Sequence, residues 1–74
     1  MENKAKLKKE DAIELVAKIE QMKGDDEVAH SNEDDLRAWF IECCANGLYT
    51  KKQMIEIGTI VNSTKDIRFA RWCA

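Results

Sequence analysis

Proline is absent from the whole chain, and its apolar residues recur at steps of three and four positions. A proline-free sequence keeps every backbone N–H available for helical hydrogen bonds, and this spacing places apolar side chains on one side of a helix. The three glycines, Gly24, Gly47 and Gly58, fall where a helix should end or pass close to another. The sequence therefore predicts an all-α fold.

The first predicted helix runs from about Lys8 to Lys23, with Gly24 as a left-handed C-terminal cap. Its main apolar stripe consists of Ala12, Leu15, Ile19 and Met22, and is widened by Ile13 and Val16. The residues before it are polar, so we expect positions 1–7 to fray.

The second predicted helix begins at Asp25 or Asp26 and ends at Ala45 or Asn46, with Gly47 beyond it. Acidic residues in its first turn complement the positive end of the helix dipole. A rival start at Ser31 would use residues 31–34 as a loose capping box. We prefer the longer helix, because Val28 and Ala29 continue its apolar stripe.

The third predicted helix starts after a capping box at residues 50–53, Thr-Lys-Lys-Gln, and ends in the polar stretch 62–64. Met54, Ile57 and Val61 should line its buried side. Gly58 costs about 1 kcal/mol relative to alanine inside a helix, so it should mark a close helix crossing. The sequence thus predicts a three-helix domain.

Residues 65–74 carry Ile67, Phe69 and Trp72, which is more apolar than a frayed terminus should be. The alternation of Ile67 and Phe69 with Arg68 favours an extended segment. We expect an ordered C-terminal extension packed on the central helix.

The length of 74 residues allows a single domain, residues 1–74, with a thin core. The cysteines, Cys43, Cys44 and Cys73, are odd in number and include an adjacent pair, which does not suit a disulfide framework. There is no Cys-x-x-Cys and only one histidine, so we expect no structural zinc and no cofactor. Self-association as a homodimer is the remaining way to extend the core.

The start of the sequence is charged, and no apolar run approaches the length of a membrane span. We therefore expect a cytoplasmic protein with free thiols and no membrane partner. The formal net charge of −2 argues against duplex nucleic acid as a partner.

The acidic and imidazole groups of His30, Glu33 and Asp34 lie at i, i+3 and i+4, so they share one side of a helix. They could form a metal or acid–base site, a binding surface, or a structural polar network with Arg37, Arg68 or Arg71. We favour the network, because one helix supplies few metal ligands.

Two further groups could bind ligands. Arg71 and Trp72 could stack on a nucleotide base, with Lys65 and Arg68 contacting phosphate. Trp72 more simply packs between helices. Tyr49, Lys51 and Lys52 should form a small exposed basic patch at a turn.

Cys43 lies among apolar residues and has no nearby histidine, which indicates a core position and not a catalytic thiol.

Residues 29–36 read Ala-His-x-x-Glu-Asp-x-Leu, and residues 67–74 read Ile-x-Phe-x-Arg-Trp-Cys-Ala. Together these two motifs resemble a family of short helical bacteriophage and prophage proteins of unassigned function. The resemblance covers residues 25–47 and 66–74 and implies a phage setting and a helical fold. Its motif positions are His30, Glu33, Asp34, Leu36, Ile67, Phe69, Arg71 and Trp72.

We expect a binding protein and not an enzyme: a small phage-type protein that binds a host or phage macromolecule, most simply a protein, stoichiometrically. One alternative is an oligomer that sequesters a nucleotide signal of host immunity. A weaker alternative is a metal-dependent nucleotide hydrolase that uses the His30/Glu33/Asp34 side of the central helix.

Overall fold

The computed structural model describes residues 5–69, and it confirms the all-α prediction for them. Helices α1 (Lys9–Gln21), α2 (Asp26–Ala45) and α3 (Lys51–Asn62) are followed by a 3₁₀ turn (Ser63–Asp66). α1 packs against both α2 and α3, and the 3₁₀ turn packs against α1 and α3. The core therefore lies where the three helices meet.

α1 buries the stripe that its periodicity predicts. Ala12 and Ile19 are buried, and Leu15 and Met22 pack against them. The prediction of Gly24 as a left-handed cap is wrong, because the helix ends at Met22, and Gly47 is the glycine with positive φ within residues 5–69. Backbone hydrogen bonds from Met22 and Asp25 close this end instead.

α2 is the longer of the two predicted versions, so the rival start at Ser31 is wrong. The Asp25 carboxylate caps the helix by accepting a hydrogen bond from the Val28 backbone N–H at 3.3 Å. At the other end Gly47 has φ +67°, as the predicted cap requires. The buried stripe contains Ala29, Leu36 and Cys43, and also a carboxylate, Glu33.

α3 begins with the predicted capping box. The Gln53 backbone N–H donates to the Thr50 hydroxyl oxygen at 3.1 Å, and the Thr50 N–H donates to the Gln53 side-chain oxygen at 3.0 Å. Ile57 and Val61 are buried as predicted, whereas Met54 is 40% exposed. Gly58 marks a close crossing, because a Cβ there would lie 3.1 Å from the Phe40 ring of α2.

The N-terminal segment, residues 5–8, corrects the expectation of fraying for its described part. The Leu7 side chain is fully buried, and its carbonyl accepts a hydrogen bond of 2.7 Å from the Tyr49 hydroxyl. The Trp39 indole N–H donates to the Ala5 carbonyl at 2.8 Å. One apolar residue, Leu7, was enough to anchor a segment that otherwise looks polar.

The C-terminal extension packs on the central helix in its described part. The 3₁₀ turn precedes an extended Ile67, which is buried, and the Phe69 ring lies 6.5 Å from the His30 imidazole of α2. The sequence predicted extended structure from residue 65, but the turn continues to Asp66. Arg71 and Trp72 lie outside the described residues.

Candidate functional site

The acidic cluster predicted from sequence lies where α2 meets the C-terminal extension. Glu33 is buried, at 3% exposure, whereas the Asp34 side chain is 61% exposed. His30 lies between these extremes and places its Nε2 atom 3.5 Å from an Asp34 oxygen. His30 and Asp34 therefore meet on one side of α2, as their i, i+4 spacing predicts, whereas the Glu33 side chain is buried.

Arg37 joins this cluster to the 3₁₀ turn. Its guanidinium lies 3.7 Å from a Glu33 carboxylate oxygen and donates a hydrogen bond of 3.0 Å to the Thr64 hydroxyl. Thr64 is fully buried, and its hydroxyl in turn donates to the Val61 carbonyl at 3.1 Å. These contacts hold the turn against α2, which is a structural role.

The imidazole of His30 also faces the extension. Its Nδ1 atom is buried and has no hydrogen-bond partner in the described part of the chain. Among residues 5–69, no group of three or more His, Cys, Asp or Glu side chains is placed to hold a metal ion.

The remaining predicted site residues are Arg68, Arg71 and Trp72. Arg68 is exposed, and Arg71 and Trp72 lie outside residues 5–69. The predicted basic patch is wrong in one member, because Tyr49 is buried with its hydroxyl on the Leu7 carbonyl. Lys51 and Lys52 are exposed.

A cavity of about 360 Å³ lies where the N-terminal segment passes α3. It carries three lysines, Lys6, Lys8 and Lys9, together with two glutamates, Glu10 and Glu56. The Lys6 ammonium is engaged, since it donates to the Gln53 side-chain oxygen at 3.2 Å. Three lysines and two glutamates give the cavity a formal charge of only +1, and one of the three ammonium groups is already engaged.

The most exposed apolar side chains lie on one side of α2 and α3. Ile41 on α2 is 63% exposed and Ile55 on α3 is 60% exposed. An open groove of about 230 Å³ runs between the two helices, lined by Arg37, Phe40, Ile41, Gly58, Val61 and Asn62. Ile55 and Met54 precede Gly58 by three and four positions, so they lie on the same side of α3 as this groove residue.

We call this surface the apolar face, and it consists of Phe40, Ile41, Met54, Ile55 and Gly58. Its floor is held in place by aromatic packing. The Phe40 ring lies against Gly58 and stacks on the Tyr49 ring with centroids 5.7 Å apart. The groove is thus supported from below.

Sequence reasoning did not select the apolar face as a site, although a signal for it was present. Ile41 and Ile55 lie beside the main apolar stripes of their helices, as Ile13 does in α1. Periodicity identifies such residues as apolar residues outside the stripe that the core buries. It does not show which of them lie next to each other in the fold. Only the crossing of Phe40 over Gly58 brings the helices of Ile41 and Ile55 to one groove.

Comparison with protein-family models, with curated proteins and with solved structures finds no match to this chain. Within residues 5–69, no helix combines the length and the apolar character that crossing a bilayer requires.

Proposed function

We propose that this chain acts by stoichiometric binding of a protein, in a phage or prophage setting, through the apolar face. The observation that supports the proposal is the exposure of Ile41, which lines the groove, and of Ile55, which lies one helical turn before the groove residue Gly58. Isolated exposed apolar residues are common on soluble proteins, but grouped ones mark interaction sites.

The shape of the apolar face favours a helical partner. A groove between two helices accepts an amphipathic helix whose apolar residues recur at i, i+3 or i+4 and i+7. Full burial of one isoleucine contributes about 1.5–3 kcal/mol, so Ile41 and Ile55, already partly covered, would contribute less than twice that amount. Because association itself is costly, binding of moderate affinity is expected.

The proposal is tested by capture of partners from host lysate, followed by mass spectrometry and by titration with the purified partner. Ile41→Asp and Ile55→Asp should each abolish capture, because a buried unpaired carboxylate opposes docking. Ile13→Asp is the matched control, since Ile13 is 52% exposed on α1 and lies outside the apolar face. Circular dichroism establishes that all three variants are folded.

A partner retained equally by the wild type and both face variants would contradict the proposal. A partner lost by all three variants would show that added negative charge, and not the face, is responsible. A binding ratio of one partner to one chain supports the stoichiometric mode.

The second candidate, nucleotide sequestration, is favoured by the lysine-bearing cavity, whose volume of about 360 Å³ falls in the range of small-molecule sites. Its two glutamates oppose an anionic ligand. A thermal-shift screen against a nucleotide panel tests it, because a bound ligand raises the melting temperature by mass action. A shift that is lost in Lys8→Glu would favour the nucleotide over the protein.

A further inference from the structure

We propose that the apolar face also binds a second copy of this chain, in a two-fold dimer where Asp34 of each copy pairs with Lys51 of the other. The inference rests on the proposed function in one respect, that the face binds protein. It goes further by naming an occupant.

The apolar face is flanked by two exposed stripes. On α2, Asp34, Ala38, Ile41 and Ala45 follow one another at steps of four, three and four positions, and all four are exposed. The stripe on α3 consists of Lys51, Ile55 and Asn62, which are exposed and follow at steps of four and seven positions. Each stripe has an isoleucine within it and one charged residue, which stands at one end.

The two charges stand at opposite ends of the groove, because α2 and α3 run antiparallel. The short loop from Asn46 to Thr50 joins the end of α2 to the start of α3, which places Lys51 at that end. Arg37 reaches Thr64, so the middle of α2, where Asp34 also lies, is beside the far end of α3. Asp34 therefore marks the other end.

The two charges are also at similar distances from the middle of the groove. Asp34 precedes Phe40 by six positions and Lys51 precedes Gly58 by seven positions. At 1.5 Å per residue each charge lies roughly 10 Å from the level where Phe40 crosses Gly58. A two-fold axis at that level brings the acidic end of one copy onto the basic end of the other.

This arrangement is what selects a second copy as the occupant. A two-fold interface uses the same patch on both chains, so the patch must be complementary to itself. The apolar face and the two charges beside it meet that condition: the isoleucines lie near the axis, and the Asp34–Lys51 pair forms twice, once on each side of the axis. Ala38 and Ala45 have short side chains, which let the two copies of α2 approach closely.

The other charged groups near the groove leave Asp34 accessible for the pairing. His30 of the same chain places its Nε2 atom 3.5 Å from one Asp34 oxygen, but the Asp34 side chain is still 61% exposed and can be reached by Lys51 of a second copy. Arg37 is engaged with Glu33 and Thr64, and it stays within its own chain. Lys65 and Asp66 are adjacent, exposed and opposite in charge, so together they add no net charge at the Asp34 end.

Dimerisation and partner binding then exclude each other, because both use the apolar face. The dimer is the form of the protein when no partner is present, and a partner has to displace one copy. Partner affinity should accordingly fall as the concentration of the chain rises.

The test is a charge exchange measured by sedimentation equilibrium on the full chain at low salt. Asp34→Lys creates two Lys–Lys contacts in a homodimer, and Lys51→Glu creates two acidic contacts. Each should raise the dimer Kd about tenfold, as expected from reversing two exposed ion pairs. An equimolar mixture of the two variants should form a heterodimer with the wild-type Kd, because both pairs are again opposite in charge.

The mixture keeps the test independent of any effect on folding, since each variant must be folded to pair. Wild-type chain that is monomeric at high micromolar concentration would overturn the proposal, as would a mixture no tighter than the single variants. Ile41→Asp should be monomeric and Ile13→Asp should dimerise like wild type.

The two proposals fail separately. A monomeric wild type whose partner capture still depends on Ile41 and Ile55 overturns the dimer and leaves the proposed function standing. A dimer whose Kd responds to the charge exchange as expected, with no captured partner that depends on the apolar face, supports the dimer and overturns the proposed function.

Discussion

Tyr49 shows how much a single buried hydroxyl can connect. It donates to the Leu7 carbonyl at 2.7 Å, its ring stacks on Phe40, and the Lys6 ammonium lies 5.5 Å from its centroid. Burial raises the pKa of Tyr49 above its ordinary value of about 10, with a further contribution from the Cys43 thiol beside it. The N-terminal segment, the loop and the apolar face therefore share one support.

The raised pKa of Tyr49 predicts a loss of stability in alkali. Above about pH 10 the unfolded chain has released the tyrosine proton that the folded chain retains, so the free energy of unfolding falls as the pH rises. Tyr49 is the sole tyrosine, so the ultraviolet absorbance of tyrosinate reports its titration. Absorbance should rise at higher pH in the native protein than in denaturant.

The control for this prediction is Tyr49→Phe, which should cost about 1 kcal/mol at neutral pH through the lost hydrogen bond. In this variant the free energy of unfolding should also fall less between neutral and alkaline pH, because no tyrosine titrates. Coincident native and denatured titrations would contradict the placement of the hydroxyl.

Arg37 is the second residue whose contacts predict a measurable effect. Arg37→Ala removes the donor to the buried Thr64 hydroxyl and a cation beside the buried Glu33 carboxylate, so it should destabilise the fold by about 1–3 kcal/mol in urea unfolding. Arg68→Ala, a change of the same kind at an exposed position, should stay within about 0.5 kcal/mol. Equal effects of the two variants would refute the bridging role.

Among the elements, the N-terminal segment is the one whose importance the sequence hides. Leu7→Ala should cost about 2–5 kcal/mol in urea unfolding, because the side chain is fully buried among the helices. Lys8→Ala, next to it and exposed, should change stability by less than about 0.5 kcal/mol. A small effect of Leu7→Ala would mean that residues 5–8 are not anchored.

The connections between helices offer a matched pair of glycines. Gly47→Ala should destabilise by about 1 kcal/mol, because an alanine is strained at φ +67°. At Gly24 φ is not positive and a Cβ would meet nothing within 4 Å, so Gly24→Ala should be neutral or stabilise by up to about 1 kcal/mol. Thermal midpoints of opposite order would show that the caps are assigned wrongly.

The helices themselves could be predicted from the sequence because their signals are local. The Thr50 capping box, the Gly47 cap and the stripe from Ala12 to Ile19 each lie within one element. The burial of Glu33 and the docking of Leu7 could not be predicted, since both depend on elements distant along the chain. The apolar face falls between these cases. The sequence shows that its isoleucines lie outside the main apolar stripes, but it does not show that they lie close together in the fold.

At the scale of the whole molecule, self-association should add to the stability of a thin core. A dimer links folding to protein concentration, so the thermal midpoint should rise as the chain is concentrated. Ile41→Asp should melt at a midpoint independent of concentration, whereas Ile13→Asp should follow the wild type. Calorimetry over a hundredfold range of concentration measures this, and a constant wild-type midpoint would contradict the dimer.

The anchoring of Leu7 has a consequence for the order of events on the ribosome. The Leu7 backbone forms hydrogen bonds with the side chains of Cys43 and Tyr49, which are 36 and 42 positions later in the chain. At 5–20 residues per second, roughly 2–8 s separate the synthesis of Leu7 from that of Tyr49. The segment made early is thus among the last to dock, and until then the nascent chain presents Leu7 and the buried side of α1 to any chaperone within reach.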